Sequence, residues 1–297
     1  MIVDQPGWVT ERILLLGRRE SCVYLLKGND EFVLLGGGMV HIVPDLLNQL
    51  NEFGIGEDKI KKIIILHSHF DHCGIVPFFK KRWPWATVTA SEKAKSLLST
   101  PKVIESIAYL NNKLIEQYGV EKEAEALELT FTGIEVEGVA GEGDVIACGD
   151  RSIRILEVPG HSTCSIAAYV PEEKALFASD AGGIPKGDKI FTAANSNFDL
   201  YQKNLQRMAE LEIEFYFAEH QGAMTGKDAG EYLNKSMVSA AETRQLIENS
   251  YRNTQDEKKS TEEMTDLLLE KYSVDFIPRD IFKIVVGQMV HYIAKQF

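Results

Sequence analysis

Short runs of apolar residues recur along the first 220 residues of the chain, separated by amphipathic stretches. The runs lie at 13–16, 22–26, 32–35, 63–66, 87–89, 153–158, 165–170, 175–179 and 215–218. Runs of this length that are rich in β-branched and aromatic residues predict strands. The pattern therefore predicts a mixed α/β domain with many strands.

A second pattern places apolar residues three and four positions apart, as on one face of a helix. It predicts helices at 43–53, 75–82, 103–118 and 200–211, between the predicted strands. Strands that alternate with amphipathic helices are typical of layered α/β folds.

The strand pattern stops in the final part of the chain, where three amphipathic helices are predicted. Asp228 and Ser260 each have a Glu three residues further on, which is a capping signal. Pro278 suits the first turn of a third helix. We therefore predict an α/β domain at 1–225 and a helical cap at 226–297 that packs on it.

The 297 residues are 44% hydrophobic and carry a formal net charge of −12. This charge repels polyanions and the chain has no basic stripe, so a nucleic acid is not the predicted partner. No apolar run reaches the length that spans a bilayer, and the four cysteines lack paired spacing. We expect a cytoplasmic protein that acts on a small molecule, with a homodimer as an option if the last helices meet a second copy.

Candidate metal ligands follow several of the predicted strands. The segment 67–72 reads HSHFDH directly after the run IIIL and holds three of the seven histidines. His161, Asp180 and His220 each follow another predicted strand, and strand ends can meet at one edge of a sheet. Imidazole and carboxylate ligands suit zinc, iron or manganese, whereas calcium and magnesium prefer oxygen ligands.

Four segments together resemble the metallo-β-lactamase fold superfamily: HSHFDH at 67–72, PGHS at 159–162, SDAGG at 179–183 and EHQG at 219–222. The resemblance covers residues 10–225 and implies a four-layer αββα sandwich with two metal ions at one edge. It implies three sets of ligands, which are His67, His69 and His161 for the first ion, Asp71, His72 and His220 for the second, and Asp180 between the two.

Within the superfamily, the chain resembles the thioesterases of the quinolone-signal (PqsE) type through VIESIAYLNNKL at 103–114 and SVDFIPRDIFKI at 273–284. There are two departures from the expected pattern. The loop at 35–38 reads LGGG, where many members have an Asp before the Gly, and Val285 stands where a polar pocket residue is expected. Both departures concern the substrate rather than the metal ligands.

The predicted function is that of a dinuclear-metal hydrolase in which a metal-bound hydroxide attacks a small acyl thioester or ester. Zinc is the first choice of metal, with iron and manganese as alternatives. Asp71 and Asp180 are the catalytic candidates, which accept a proton from the water or orient it. A substrate pocket is expected between the loop 182–197 and the helical cap. Its predicted wall residues are Tyr109, Phe191, Phe198, Ser273 and Ile277.

Three alternatives remain open from the sequence. The same pair of metals supports phosphodiester cleavage, although the negative charge of the chain disfavours that substrate. Iron in this fold would support oxidative chemistry. A regulatory binding protein with a structural metal site is the third alternative, and an open metal position would favour an enzyme over it.

Overall fold

A computed structural model describes residues 1–272 and 278–297 of the chain, and these residues contain sixteen strands and nine α-helices. The strands are β1 (Ile2–Val3), β2 (Gly7–Trp8), β3 (Ile13–Arg18), β4 (Ser21–Lys27), β5 (Phe32–Leu35), β6 (Ile60–Ile64), β7 (Thr87–Ala90), β8 (Gly138–Val139), β9 (Val145–Cys148), β10 (Arg151–Glu157), β11 (Ile166–Val170), β12 (Ala175–Phe177), β13 (Ile184–Lys186), β14 (Lys189–Phe191), β15 (Phe215–Phe217) and β16 (Ala223–Thr225). The helices are α1 (Val43–Glu52), α2 (Val76–Arg82), α3 (Glu92–Leu98), α4 (Pro101–Tyr118), α5 (Glu121–Ala126), α6 (Phe198–Ala209), α7 (Lys227–Thr254), α8 (Glu257–Tyr272) and α9 (Arg279–Ala294).

Two seven-stranded sheets form the centre of the protein. The first has the strand order β2-β3-β4-β5-β6-β7-β8 and the second the order β1-β16-β15-β12-β11-β10-β9. Neighbouring strands from β5 to β8 are parallel, as are β12 and β15. Parallel neighbours end at the same edge of a sheet, so the segments that follow them in the chain lie side by side.

Inner strands such as β3, β5 and β11 are buried on both faces because each sheet lies between two layers. In β3, Ile13 and Leu15 belong to the core between the two sheets, whereas Leu14 and Leu16 pack with the helices. Successive side chains of a strand point to opposite faces, so the continuous run ILLL supplies both cores. The predicted αββα sandwich is confirmed.

The C-terminal helices form a layer on the second sheet. Helix α7 packs against β15 and β16, and α8 and α9 pack on α7 and on each other. Met264 and Phe282 share one apolar cluster with Phe191 and Leu205 of the preceding region. The predicted C-terminal helical region is confirmed, while the division of the chain between residues 225 and 226 stays a prediction.

Two of the predicted helix starts are wrong. Helix α7 begins at Lys227, and the carboxylate of Asp228 instead pairs with the N-terminal amine of Met1 at 2.6 Å. Helix α8 begins at Glu257, because Asp256 Oδ1 accepts the backbone N–H groups of the second and third residues after it at 2.9 and 3.1 Å. Ser260 lies inside α8, fully buried.

None of the helices in residues 1–272 and 278–297 has the length and apolar character needed to cross a bilayer. All four cysteines of the chain lie in this described part, and each is a buried, free thiol. This agrees with the expectation of unpaired thiols.

Candidate metal centre

The predicted ligands come together at one edge of the sandwich. The segment 67–72 follows β6, and His161 lies in the turn between β10 and β11. Strands β12 and β15 pair in parallel with Phe177 opposite Phe217. If this register is continued by three residues, Asp180 and His220 lie opposite each other beyond the strand ends.

A first group of nitrogen atoms consists of His67 Nε2, His69 Nδ1 and His161 Nε2. The His161 nitrogen lies 3.3 Å from that of His67 and 2.9 Å from that of His69. Three ligand atoms within 4.8 Å of one another have the spacing of ligands around a single cation. The structure thus brings these three residues together.

A second group consists of Asp71, His72 and His220. His220 Nε2 lies 3.1 Å from His72 Nε2, and Asp71 Oδ2 lies 3.4 Å from His72 Nε2 and 3.7 Å from His220 Nε2. This group also satisfies the spacing for one cation.

The carboxylate of Asp180 lies between the two groups. Its Oδ2 atom is 3.3 Å from His72 Nε2 and 3.5 Å from His161 Nε2, while Oδ1 is 3.7 Å from His220 Nε2. One carboxylate therefore faces nitrogen atoms of both groups, as a bridging ligand would.

Outer hydrogen bonds fix the orientation of two of these imidazoles. His161 Nδ1 donates to the carbonyl oxygen of Ala193 and His220 Nδ1 donates to that of Glu20, each at 2.7 Å. A carbonyl oxygen only accepts, so the hydrogen is on Nδ1 and the Nε2 lone pair faces the group. Such outer partners are typical of metal-binding histidines.

Burial and neighbouring charges set the protonation of the site. Burial lowers the pKa of His67 well below 6.5, lowers the pKa of His161, and lowers that of His69 to about 3. Burial opposes ionisation of Asp71, but His72 outweighs it and lowers the pKa of Asp71 to about 2. These three imidazoles are therefore neutral and this carboxylate is charged at pH 7, as metal ligation requires.

His72 of the second group and the carboxylate of Asp180 between the groups stabilise each other as ions in the absence of a metal. Burial disfavours both charges, yet the carboxylates of Asp71 and Asp180 raise the pKa of His72 well above 6.5. In return, His72 and His220 lower the pKa of Asp180 well below 3.8. A cation bound here would replace this proton as the partner of the carboxylates.

A cavity of about 500 Å³ opens onto the metal centre. Asp71, His69, His161 and Asp180 form its floor. Most of its remaining wall is apolar and comes from the segment after β6, helix α4, the β13–β14 hairpin and helix α9. These apolar residues are Phe70, Val103, Ile107, Leu110, Ile184, Phe191, Ala193, Ile281, Phe282, Ile284 and Val285.

A second cavity of about 440 Å³ is also lined by His69 and His161. Its wall is more polar than that of the first. The polar residues that line it are Ser68, Ser162, Thr163, Asn195, Ser196, Gln288, His291, Tyr292 and Lys295. The two cavities share six lining residues and meet beside the first ligand group. The shared residues are Ser68, His69, Val103, His161, Asn195 and Gln288.

The five predicted wall residues have different positions. Phe191 lines the apolar cavity. Tyr109 does not, because it is 61% exposed on the side of α4 that turns away from Ile107 and Leu110. Phe198 is fully buried under the guanidinium group of Arg244 rather than beside the cavity. Ser273 and Ile277 lie outside the described residues.

Sequence reasoning missed Glu219, which is 3% exposed and has Oε2 at 3.0 Å from His72 Nδ1. The only signal was its position next to His220 in EHQG. It also missed the inner face of α4, where Val103, Ile107 and Leu110 line the cavity at helical spacing. That stripe has the same pattern as a helix face packed in a core.

The sequence profile of the metallo-beta-lactamase superfamily matches residues 16–220 of the chain. The chain belongs to the metallo-beta-lactamase superfamily. The matched range includes all seven candidate ligands. The chain is accordingly a hydrolase of this superfamily, whose members bind divalent metal ions, and its His/Asp cluster could hold such ions.

Relatives and solved structures agree with this membership. The acyl-coenzyme A thioesterase MBLAC2 of Gallus gallus is 26% identical over 209 residues, which are 69% of this chain and 72% of that protein. The metallo-beta-lactamase fold-containing protein ST1585 of Sulfurisphaera tokodaii is 25% identical over 228 residues, 75% of this chain and 80% of that protein. The metallo-beta-lactamase family protein TTHA1429 of Thermus thermophilus has a similar fold, with a TM-score of 0.67, 18% identity and coverage of 95% of this chain and 93% of that one.

Proposed function

We propose that the protein hydrolyses small acyl thioesters or esters, using two divalent ions held by the seven residues of the metal centre. The observation that carries this proposal is the apolar cavity that opens directly onto Asp71, His69, His161 and Asp180. An apolar pocket with a few polar groups at one end suits an acyl chain whose carbonyl lies at the polar end. The relative named as an acyl-coenzyme A thioesterase supports the same reaction class.

The donor set fits the proposed ions. His67, His69 and His161 would hold one ion, Asp71, His72 and His220 would hold the other, and Asp180 would contact both. Neutral imidazoles with charged carboxylates favour zinc, with iron and manganese as alternatives. When bound, the ions would make hydroxide available from water at neutral pH and polarise the acyl carbonyl.

Asp71 and Asp180 are the residues of this chain that we propose to act on the water. Both line the cavity and both have a pKa below the ordinary value for an aspartate. Ionised carboxylates only accept hydrogen bonds, so they can orient the water through its O–H groups. Either one can also accept the proton that the water releases.

The two cavities suggest how a substrate is oriented. The acyl chain would lie against Ile107, Phe191 and Val285 in the apolar cavity, and the leaving group would lie in the polar cavity near Ser162 and Lys295. The bond to be cleaved would then lie where the cavities meet, beside His69 and His161. This arrangement would place apolar side chains along the acyl chain and leave room for a polar leaving group. Assignment to the quinolone-signal type stays a prediction.

The test combines metal analysis with a substrate panel. The metal content of the purified protein is measured, and turnover is assayed with acyl-coenzyme A thioesters, p-nitrophenyl acyl esters and bis(p-nitrophenyl) phosphate. We expect turnover of the acyl substrates, and its loss together with bound metal in His69→Ala. The control is Val238→Ala on α7, which changes an exposed side chain that lines neither cavity and is not a candidate ligand.

Three results would contradict the proposal. Hydrolysis of the phosphodiester in preference to acyl substrates would indicate a phosphodiesterase. Oxygen consumption with an iron-loaded protein would indicate oxidative chemistry. A fully metallated protein that turns over neither substrate class would indicate a binding protein with a structural metal site.

A further inference from the structure

The carboxylate of Glu219 lies behind the metal centre, on the side of the histidines away from the cavity. Its Oε2 atom is 3.0 Å from His72 Nδ1 and accepts a hydrogen bond from the hydroxyl of Ser179. The same hydroxyl is 3.2 Å from His67 Nδ1 and 3.4 Å from His72 Nδ1. Glu219 therefore contacts one histidine of the second group directly and one of the first group through Ser179.

Only one assignment of donors and acceptors satisfies all the hydrogen bonds of this cluster. The Nε2 atoms of His67 and His72 face the ligand groups, so with a cation on each Nε2 both imidazoles would carry their hydrogen on Nδ1. His72 Nδ1–H then donates to Glu219, and His67 Nδ1–H donates to Ser179. The Ser179 hydroxyl has one hydrogen, which it donates to Glu219.

Two features of the backbone bring the acid to this position. Strands β12 and β15 pair in parallel up to Phe177 and Phe217, two residues before Ser179 and Glu219, and the hydroxyl of Ser179 contacts the carboxylate of Glu219 just beyond the strand ends. Gly36, at the end of β5 in the other sheet, leaves room for the side chain, since a Cβ atom on Gly36 would lie 2.5 Å from Glu219 Oε1. Ser179 has φ of 48°, a conformation that is costly for a residue with a side chain.

A contribution to the stability of the fold does not explain why the Glu219 side chain is buried. Its Oε1 atom is buried and has no hydrogen-bond partner among the described residues. A buried carboxylate oxygen without a partner destabilises the fold. A role at the metal centre accounts for its presence there.

We propose that Glu219 is a positioning residue, which holds His72 directly and His67 through Ser179 with Nε2 presented to the two metal positions. This inference rests on the proposed two-ion site. His67, His72 and Glu219 also have the spacing for a cation of their own. A neutral imidazole has one lone-pair nitrogen, however, so an ion on Nδ1 would compete with the ions on Nε2.

The test measures metal affinity rather than activity alone. Zinc affinity of the metal-free protein is measured by competition with a chromophoric chelator in wild type, Glu219→Ala, Glu219→Gln and Ser179→Ala. Loss of an outer partner of a metal-binding histidine typically weakens affinity about 10–100-fold. We expect a loss in that range for Glu219→Ala and a smaller loss for Glu219→Gln, which keeps an acceptor and nearly the same volume.

A matched control separates positioning from general damage to the strand. Tyr24→Phe removes a buried hydrogen bond to the carbonyl oxygen of Ala218, the residue before Glu219, and touches no candidate ligand. We expect its zinc affinity to stay within about twofold of wild type, since no outer partner of a ligand is lost.

A spectroscopic measurement tests directly which ring nitrogen of His67 and of His72 carries the hydrogen. Long-range ¹H–¹⁵N correlation spectra of the zinc-loaded protein should show His67 and His72 with hydrogen on Nδ1, protected from exchange with water. We expect this protection to be lost for His72 in Glu219→Gln and for His67 in Ser179→Ala.

The inference is overturned if Glu219→Gln and Glu219→Ala both keep wild-type zinc affinity and wild-type histidine spectra. It is also overturned if the wild type binds a third ion that disappears in Glu219→Gln. Failure of the proposed function would look different, because it would appear in the wild type itself, as turnover of another substrate class, as no turnover, or as the absence of a bound pair of ions.

Discussion

Asp180 and His220 approach to 3.7 Å at the edge of the second sheet although forty residues separate them in the chain. They meet because β12 and β15 are parallel neighbours, with Phe177 opposite Phe217. The other oxygen of Asp180 is 3.5 Å from His161 Nε2 in the first group. One strand pairing thus places a single carboxylate against both halves of the metal centre.

Replacement of the Asp180 carboxylate should weaken binding of the second ion and lower activity. We expect Asp180→Asn to lower kcat by about 100-fold or more, beyond the range for loss of an outer partner, because a neutral amide is a poor bridging ligand. Steady-state kinetics and metal content measured together check this. Asp188→Asn, in the turn of the β13–β14 hairpin, is the control and should retain both activity and metal. Full activity of Asp180→Asn would refute the bridging role.

The apolar cavity should set the preference for acyl-chain length. Val285→Phe adds volume to the wall and should displace the far end of a longer chain, at about 0.8 kcal/mol for each methylene group returned to water. We expect kcat/KM for octanoyl-coenzyme A to fall by about tenfold or more, and that for acetyl-coenzyme A to change by less than about threefold.

The same substitution at a distant exposed position provides the comparison for Val285. Val238 on α7 is 60% exposed and lies outside the cavity wall, so Val238→Phe should leave the chain-length profile unchanged. An unaltered profile in Val285→Phe would mean that the acyl chain binds elsewhere.

The metal-free protein should lose stability on mild acidification. Burial lowers the pKa of His67, His69 and His161 in the folded state, so below pH 6.5 the unfolded chain binds protons that the folded chain does not. The raised pKa of His72 acts in the opposite direction near pH 7, where the unfolded chain takes up a proton that the folded His72 already carries, but one such group is outweighed by the three histidines with a lowered pKa. We expect Tm after chelator treatment to be lower at pH 5 than at pH 7, by at least about 3 °C. A higher Tm at pH 5 would contradict these protonation states.

The cysteines should be unreactive until the protein unfolds. Burial raises the pKa of Cys22 to about 12 and that of Cys148 to about 11, and it also raises that of Cys73. Because the thiolate is the reactive form, these three thiols should react with Ellman's reagent only slowly at pH 8 and rapidly in guanidinium chloride. Rapid labelling of Cys22 or Cys73 in the native protein would show that the edge of the sandwich opens.

The fold was predictable because its main signals are local. Runs such as ILLL at 13–16 form strands buried on both faces, and helix α2 at Val76–Arg82 lies where the periodicity places it. The start of α8 was not predictable from the capping pattern, because Asp256 and Ser260 both offer a suitable side chain. Only the packed structure, where Ser260 is buried, selects Asp256.

The residues of the candidate metal centre could be listed from the sequence, but their geometry could not. His161, Asp180 and His220 each follow a strand, which is visible in the sequence, whereas the register that joins Asp180 to His220 is not. The role of Glu219 depends on Gly36 in the opposite sheet, and no local pattern connects these two positions. Tyr109 lies on the outer face of α4, whereas the inner face of the same helix lines the cavity.

The central claim is that seven side chains of this superfamily member hold two divalent ions at one edge of the sandwich. Anomalous X-ray diffraction from crystals of the metal-loaded protein, recorded at the absorption edge of the bound metal, tests it most directly. The account predicts two peaks about 3.5–4 Å apart, one beside His67, His69 and His161 and the other beside Asp71, His72 and His220. A single peak, or peaks bound by other side chains, would contradict it.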